Sequence, residues 1–439
     1  MVFFTFGFDG SVMSGILAMT PFVDQFGTIH TETGTSLSAT DISIMTAIPT
    51  TGCLLGLPVA AYCGDRYGRK KTLLIGCAIS AIGSAIQTSA FGMAQLVIGR
   101  WLVSESSSSL VLFPSPPLSP SLPFLSTLAN VLFPDSAIFL FIVMGSTFLA
   151  EIAPNEIRGI LTGLSIVLVD AASILSAGIN WAVSNDTSAF AYRFPMGLQI
   201  LFPVVIGVGI IFLDDSPTFY LTKSQDNRAL KSLRSIRKGY AEAEVNAEFA
   251  ALKAQAALRQ EEVQVPWTHI FKGTNLRRTM LALSVGNMQQ LSGIAFATNY
   301  ATIFLQTIGS DISAFLLVLA ITILAFGGAI GGLFLVDAVG RRPLALTTFV
   351  ILFIINVTIG ALGFADYLNN SSISRTIAAF CCMFSFFFAA GFGPLTYVVA
   401  SEMPTARLRN KTGAFSFFVL ACFSTVVQYV LPYISNADE

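Results

Sequence analysis

Three ionisable residues, Asp9, Arg100 and Asp170, stand inside long apolar stretches of this 439-residue sequence. A charge held in an apolar environment costs about 3 kcal/mol or more, so such residues are rare there and usually functional. A carboxylate in such a place can bind or release a proton when its surroundings change. We therefore take all three as candidate functional residues. Asp170 is a candidate proton site, or alternatively a residue that faces an aqueous cavity.

Two adjacent amides, Gln289 and Gln290, lie in another apolar stretch. An amide offers both hydrogen-bond donors and acceptors without a charge, and it therefore suits a ligand rich in hydroxyl groups. The alternative is that these amides hydrogen-bond neighbouring helices.

The composition requires lipid as the solvent for much of the chain. It is 54% hydrophobic and only 11% charged, against about 25% charged residues in soluble domains. A single hydrophobic core stops growing beyond roughly 250–300 residues, so a soluble chain of this length could not hide so much apolar surface. The net charge of −1 argues against a nucleic-acid partner.

We expect no metal site, no cofactor and no enzymatic activity. The six cysteines lie in apolar stretches without zinc-site spacing, and His30 and His269 are far apart in polar stretches. The sequence contains no nucleophile–base set and no phosphate-binding loop.

A membrane-spanning helix needs about 20 predominantly apolar residues. Candidate spans lie near residues 2–20, 42–62, 72–90, 159–183, 193–213, 279–306, 313–336, 343–364, 375–400 and 412–434. A disturbed candidate between 92 and 150 brings the total to about eleven helices.

The basic residues orient these spans. Of the 24 lysines and arginines, 21 lie in segments that alternate spans place on one side, which is therefore cytoplasmic. Glycosylation sequons at Asn185, Asn369 and Asn370 fall on the opposite side, where glycans are added. The long polar segment 214–278 is predicted to form short cytoplasmic helices that join two halves.

Short motifs recur in the two halves. Residues 64–70 (GDRYGRK) are echoed by 336–342 (VDAVGRR), and residues 151–158 (EIAPNEIR) by 402–409 (EMPTARLR). Two homologous halves with a site between them are typical of a transporter.

The repeat also locates a break. Asp65 and Glu151 are 86 residues apart, whereas Asp337 and Glu402 are 65 apart, so the first half carries 21 extra residues. They fall within 104–136, where five prolines between 114 and 123 cannot continue a membrane helix. This segment is either a genuine loop insertion or translated intron sequence, and we favour the second.

Taken in order, the motifs resemble those of the sugar porter family of the major facilitator superfamily, with an aspect like the fungal hexose transporters. Besides the loop motifs, the resemblance rests on Gly7-Phe8-Asp9, Gly99-Arg100, Asp215-Ser216-Pro217, Gln289-Gln290-Leu291-Ser292-Gly293 and Gly391-Phe392-Gly393-Pro394.

The resemblance implies an all-α membrane protein of two six-helix bundles with alternating access to a central site. It divides the chain into a bundle at 1–213, a linker at 214–278 and a second bundle at 279–439. The family pattern leads us to expect about eleven helices here, without the twelfth and without a cytoplasmic segment before the first. We expect a monomer in the plasma membrane.

The resemblance also implies roles for individual residues. In proton-coupled members the acid and arginine that match Asp9 and Arg100 form a pair, and protonation of the acid releases the arginine. In facilitators that only equilibrate sugar, the pair is static.

The amides that match Gln289 and Gln290 bind sugar in the family. Here Ala295 stands where the family has an asparagine. Asn299 and Tyr300 occupy the positions of the aromatic pair that follows in the family, and Tyr397 stands in place of a tryptophan. A different sugar, a glycoside, or a polyol or acid thus becomes a candidate substrate.

The repeated loop motifs imply a cytoplasmic gate of acidic and basic side chains that latches the inner side while the outside is open. The candidate gate residues are Asp65, Arg66, Arg69, Glu151, Arg158, Asp337, Arg341, Glu402 and Arg409. The alternative is a solvated charge cluster that only sets topology.

The leading expectation is a transporter that carries a monosaccharide or related polyol together with a proton. A sugar-sensing receptor and a non-functional transporter fragment are the alternatives. Labelled-sugar uptake distinguishes them.

Overall fold

The structure is a computed structural model that describes residues 2–31, 34–47, 66–105, 148–149, 151–152, 158–264, 266–296, 300–308, 312–364, 370–393, 395, 399, 403–405 and 408–435. The candidate span near 42–62 and the candidate between 92 and 150 therefore each lie largely outside the described residues.

The first half begins with two helices that meet at a sharp bend. α1 (Val2–Ile16) and α2 (Thr20–Phe26) are bent by 78° relative to each other. The first span therefore ends four residues before the predicted residue 20, because the chain turns at 17–19. The further helices of this half are α3 (Arg69–Thr88), α4 (Met93–Glu105), α5 (Arg158–Val183), α6 (Phe190–Leu198) and α7 (Leu201–Ile211).

A small antiparallel hairpin follows α2, in a region where the sequence did not predict strands. Strands β1 (Ile29–Thr31) and β2 (Gly34–Ser36) pair with Ile29 opposite Ser36. The Thr35 hydroxyl donates to Asp24 Oδ1 at 2.7 Å, which ties the hairpin to α2. Residues 39–47 are then helical.

The polar segment 214–278 consists mainly of helices. It contains α8 (Pro217–Thr222), α9 (Asp226–Ile236), α10 (Glu242–Gln264) and a 3₁₀ turn at Trp267–Phe271. Arg237 Nη2 lies 2.9 Å from Glu248 Oε1, and this ion pair joins α9 to α10.

The described residues of the second half form further helices, most of them long. These are α11 (Thr274–Gln289), α12 (Ala301–Ile308), α13 (Ala314–Val339), α14 (Arg341–Gly363), α15 (Ser371–Phe387) and α16 (Arg409–Ser435). Wider π-type turns continue α11 at Gln290–Ile294 and α15 at Phe388–Phe392. The predicted continuous span 279–306 is thus broken. Gly293 has φ of +93° at the break, a conformation in which glycine carries no Cβ penalty.

Six described helical segments are long and apolar enough to cross a membrane: α3, α6 together with α7, α13, α14, α15 with its π-type turn, and α16. The bent α1–α2 pair could form a seventh span. Their outward faces carry exposed apolar side chains such as Phe334, Phe353 and Val426. Exposed apolar side chains of this size are expected where lipid covers the surface.

The glycines that end the two copies of the loop motif adopt nearly the same backbone angles. Gly68 has φ 93° and ψ 160°, and Gly340 has φ 89° and ψ 158°. Each glycine directly precedes a helix that begins with an arginine, Arg69 in α3 and Arg341 in α14. At these two glycines the recurring sequence motif is therefore accompanied by a recurring local conformation.

Small residues allow the closest approach of helices in the second half. A methyl group at Gly332 would lie 2.6 Å from the Ala390 carbonyl oxygen, and one at Gly328 would collide with that of Phe386. A methyl group at Gly327 or Gly331, on the same helix, would have no described residue of a neighbouring helix within 4 Å. Small residues four positions apart are a common means of bringing membrane helices together.

This packing predicts that Gly328→Ala and Gly332→Ala each destabilise the protein by about 1–3 kcal/mol, because α13 must move away from α15. The matched controls Gly327→Ala and Gly331→Ala should be neutral or stabilising, since alanine is the better helix former by about 1 kcal/mol. Thermal unfolding in detergent measures all four variants. Equal effects of the two pairs would contradict the close contact.

Candidate functional site

A buried polar group surrounds Asp9 in the first half. Asp9, on α1, is 5% exposed, and its Oδ1 accepts a hydrogen bond of 2.7 Å from Gln199 Nε2. Gln199 lies between α6 and α7, where the sixth span is interrupted, and its Oε1 accepts a hydrogen bond from Gln87 Nε2 at the end of α3. Two amides therefore connect Asp9 to the helix that precedes Arg100.

Arg100, on α4, is 7% exposed and interacts with Asp9 through its charge. The two side chains do not form an ion pair within 4.0 Å in the described part of the chain. Arg100 Nε has no hydrogen-bond partner among the described residues. Asp9 therefore accepts its hydrogen bond from an amide, and it interacts with the Arg100 cation without forming an ion pair with it.

A cavity of about 260 Å³ lies between the two halves. α1 contributes Ser11 and Ser14 to its wall, and α5 contributes Asp170 and Ser173. The rest of the wall comes from Gly15 of α1, from α5 and from the second half, including Asn180, Gln289, Thr302, Thr322, Ser385 and several apolar side chains. Hydroxyl and amide groups on an apolar background are what a small hydroxylated ligand requires.

Only some of the predicted ligand-binding residues that the structure describes line the cavity. Gln289 lines the cavity, whereas Gln290 is half-buried at the start of the π-type turn and is not part of the wall. Tyr300 is 4% exposed and packs at a tilt against Phe296 in the apolar core, and it is also not part of the wall. Asn299 and Tyr397 lie outside the described residues.

Asn180 shapes the wall on the side of the first half. Its Nδ2 donates to the Val12 carbonyl at 3.0 Å, and its side chain fills the space that a Cβ at Gly15 would need. The glycine therefore allows α1 and α5 to pack closely beside the cavity.

The two halves meet at the outer end, which is the end opposite the basic loops. Ser14 Oγ and Thr302 Oγ1 are 3.1 Å apart, and Gln306 Nε2 donates to the Ala18 carbonyl at 3.1 Å. Nearby, Ser43 Oγ donates to the Tyr429 carbonyl at 2.9 Å. The described conformation therefore brings the outer ends of both halves into contact above the cavity.

At the basic end of the first half, α3 begins inside a network of charges. Arg69 Nη2 lies 3.2 Å from Glu151 Oε1, and both side chains are largely buried. Asp215 Oδ1 accepts the Lys70 backbone N–H at 3.2 Å, and a carboxylate at this place satisfies a free donor of the first helical turn. A Cβ at Gly68 would collide with this Asp215 carboxylate.

The other candidate gate residues are described less fully. Arg66 is exposed above the Tyr67 ring, and Arg341 Nη1 donates to the Val336 carbonyl at 3.5 Å. Asp65 and Glu402 lie outside the described residues, as do the side chains of Arg158, Asp337 and Arg409.

Sequence reasoning did not single out Gln87, Gln199 or Asn180 as site residues, and assigned no contact to Asp215. A usable signal was present for the first three, since each is an amide within an apolar stretch, as are Gln289 and Gln290. What the sequence could not show is that two of these amides meet at Asp9.

A family model described as "Sugar (and other) transporter" matches residues 1–104 and 139–438. The unmatched residues 105–138 overlap the segment 104–136 that the internal repeat singled out. Two curated relatives are a probable glucose transporter, rco-3, of Neurospora crassa and the high glucose sensor RGT2 of Saccharomyces cerevisiae. They are 27% and 26% identical over 92% and 99% of this chain. The chain spans 64% of the first relative and 53% of the second, less than two thirds of each.

Among solved structures, the proton:xylose symporter XylE of E. coli, bound to 6-bromo-6-deoxy-D-glucose, is similar with a TM-score of 0.72. It is 18% identical, and the match covers all of this chain and 87% of that one. This likeness shows the fold of the major facilitator superfamily. The family match extends over most of the sequence, and the chain is therefore a multi-pass membrane protein that belongs to the sugar transporter family of that superfamily.

Proposed function

We propose that this chain moves a monosaccharide or related polyol across the plasma membrane by alternating access, as a monomer, in symport with a proton. The observation that carries the proposal is the position of α1. This helix holds the buried Asp9 carboxylate, lines the cavity with Ser11 and Ser14, and reaches the opposite half through Thr302. A change in the charge of Asp9 can therefore affect both the cavity and the contact between the halves.

The proton step uses residues of the first half. When Asp9 is ionised, the charge of Arg100 and the Gln199 amide stabilise it. When Asp9 takes up a proton, the attraction to Arg100 is lost, and α1 and α4 are held together less strongly. Coupling requires that the two conformations bind the proton with different affinity.

The outer contacts and the charged inner network supply the two closures that alternating access needs. The outer closure consists of the hydrogen bonds from Ser14, Gln306 and Ser43 to the other half. The inner closure is the proposed role of the candidate gate residues, of which Arg69 and Glu151 form an ion pair. We propose that the bundles 1–213 and 279–439 tilt about the cavity, with 214–278 as a cytoplasmic linker. The segment 104–136 is either a loop insertion or translated intron sequence, and we favour the second.

A glucose sensor is the second candidate, because the chain is similar to RGT2. Uptake of radiolabelled D-glucose or D-xylose into proteoliposomes, with and without an inward proton gradient, tests both functions. A symporter accumulates sugar only with the gradient, and a facilitator equilibrates it in either case. A sensor binds sugar in a thermal-shift assay and shows no uptake.

The position of Asp9 predicts that Asp9→Asn abolishes accumulation but retains exchange of labelled for unlabelled sugar. The variant carries no titratable group at this position, so its accumulation ratio should fall to about one. Counterflow in the same proteoliposomes measures exchange. Accumulation at the wild-type level in Asp9→Asn would show that the proton enters elsewhere.

The hydrogen bond between Gln199 and Asp9 predicts energetic coupling between them. Gln199→Leu leaves a buried carboxylate without its donor and should cost about 1–3 kcal/mol of the free energy of unfolding. In the double variant with Asp9→Asn, we expect the two effects to deviate from additivity by about 1 kcal/mol or more. Asp9→Asn with Thr376→Ala is the control pair and should be additive, since the Thr376 hydroxyl donates to a carbonyl of its own helix, α15. Strict additivity in the first pair would contradict the hydrogen bond.

The unequal positions of the two amides predict unequal effects on substrate binding. Gln289→Ala removes a group from the cavity wall and should raise KM about tenfold, the value of one hydrogen bond of about 1.4 kcal/mol. Gln290→Ala is the matched control, one residue further and outside the wall, and should change KM less. Initial uptake rates over a range of sugar concentrations measure both variants. A larger effect at Gln290 would mean that the binding site is not this cavity.

A further inference from the structure

Asp170 differs from every other residue that lines the central cavity. Among the described residues of the wall it is the one with an ionisable side chain. The polar groups around it are neutral hydroxyls and amides, such as Ser173 on the same helix and Ser11 on α1. The wall therefore offers one negative charge and several neutral hydrogen-bonding groups.

No described residue balances this charge. The Asp170 carboxylate has no hydrogen bond or ion pair within the described part of the chain, whereas Asp9 is bonded to Gln199 and Glu151 to Arg69. The nearest ionisable residue along α1 is Asp9, which is itself an acid.

The basic residues of the packed helices lie far along their axes. Arg278 of α11 is eleven residues before Gln289, and Arg375 of α15 is ten residues before Ser385. At 1.5 Å per residue these separations are about 15 Å or more. The Coulomb interaction across such a distance is weak compared with that of a cation in the cavity itself.

An unbalanced carboxylate at membrane depth is unfavourable unless a cation accompanies it or a proton neutralises it. When Asp170 is ionised, the cavity is the place from which its cation comes, because the carboxylate faces it. An anionic substrate, such as a sugar acid or a sugar phosphate, would be repelled by the same charge. The charge in the wall thus argues against an acidic substrate, which the replaced family residues had left as a candidate.

We propose that the substrate is a sugar or polyol that carries a protonated amine, and that Asp170 is the counter-ion which binds the ammonium group. The inference rests on the proposed transport function. The hydroxyls and amides of the wall would take the hydroxyl groups of this substrate, while Asp170 supplies the selectivity for the amine. A charge-assisted hydrogen bond of this kind is roughly twice as strong as a neutral one.

Competition with radiolabelled D-glucose for the purified full chain, at about pH 7, tests the proposal, because most of the amine of the probe is protonated there and a lower pH would neutralise the Asp170 carboxylate. D-Glucosamine is the amine probe, unlabelled D-glucose the neutral reference and D-glucuronate the anion. We expect D-glucosamine to bind at least about tenfold more tightly than D-glucose, and D-glucuronate to compete least. Asp170→Asn should lower the ratio of the glucosamine and glucose affinities about tenfold, whereas Asp170→Glu, which retains the charge, should keep the preference.

Ser173→Ala is the matched control, since it removes a neutral group from the same wall three residues away. Its glucosamine-to-glucose ratio should stay within about twofold of the wild-type ratio.

A wild-type protein that binds glucose without preferring glucosamine overturns this proposal and leaves the transport function standing. The same holds if Asp170→Asn keeps the preference and instead loses the proton dependence of uptake, which would identify Asp170 as a proton site. Absence of binding to every probe would count against both proposals. Should Asp170→Asn fail to fold, the wild-type ratio decides.

Discussion

A polar group buried at membrane depth must find its partner within the protein, because lipid offers none. The structure meets this constraint at several places with side-chain amides. Gln199 bonds Asp9, Asn180 bonds the Val12 carbonyl, and Asn356 Nδ2 donates to the Ser292 carbonyl at 3.1 Å. Each bond connects two helices, so satisfying the polar group also sets how those helices lie. Amides suit this role because they donate and accept without adding a charge.

The breaks in the spans are a consequence of the same constraint. The π-type turn after Gln289 and the left-handed Gly293 free backbone carbonyls from the regular helical pattern. Ser292 is in this stretch, and Asn356 from α14 takes up its carbonyl. Irregular backbone within a membrane is tolerated where protein groups satisfy it or where it borders a cavity. Both conditions hold here, and the break places Gln289 at the cavity wall.

Close glycine-mediated packing is found within the second half, whereas single hydrogen bonds join the outer ends of the two halves. Within the second half, Gly328 and Gly332 bring α13 against α15 and the π-type turn that continues it. Between the halves, by contrast, the outer end is joined by single hydrogen bonds from side chains such as Ser14 and Gln306. Individual bonds of this kind contribute about 1 kcal/mol each. The halves are also in contact through helices, since α5 of the first half packs along α13 of the second.

Membrane class, the approximate bounds of most described spans and the recurrence of the loop motif were all readable from the sequence. They depend on local properties, namely the length of apolar runs, the position of charges and the recurrence of short motifs. The repeat at 64–70 and 336–342 is the clearest example, since Gly68 and Gly340 adopt nearly identical backbone angles. Asp9, Arg100, Asp170 and Gln289 were recognisable as candidates because polar groups in apolar runs are rare.

Only the tertiary structure decided which of these residues meet. Gln199 is 190 residues from Asp9, and no pattern of spacing relates them. The adjacent Gln289 and Gln290 looked equivalent, but successive residues of a helix point about 100° apart, so the packing of α11 brings one to the cavity wall and leaves the other out. Asp170 likewise gained its position from the approach of α5 to α1 and α13 around one shared space. Local sequence determines which groups a helix carries, while the partner of each group depends on how helices distant in sequence pack together.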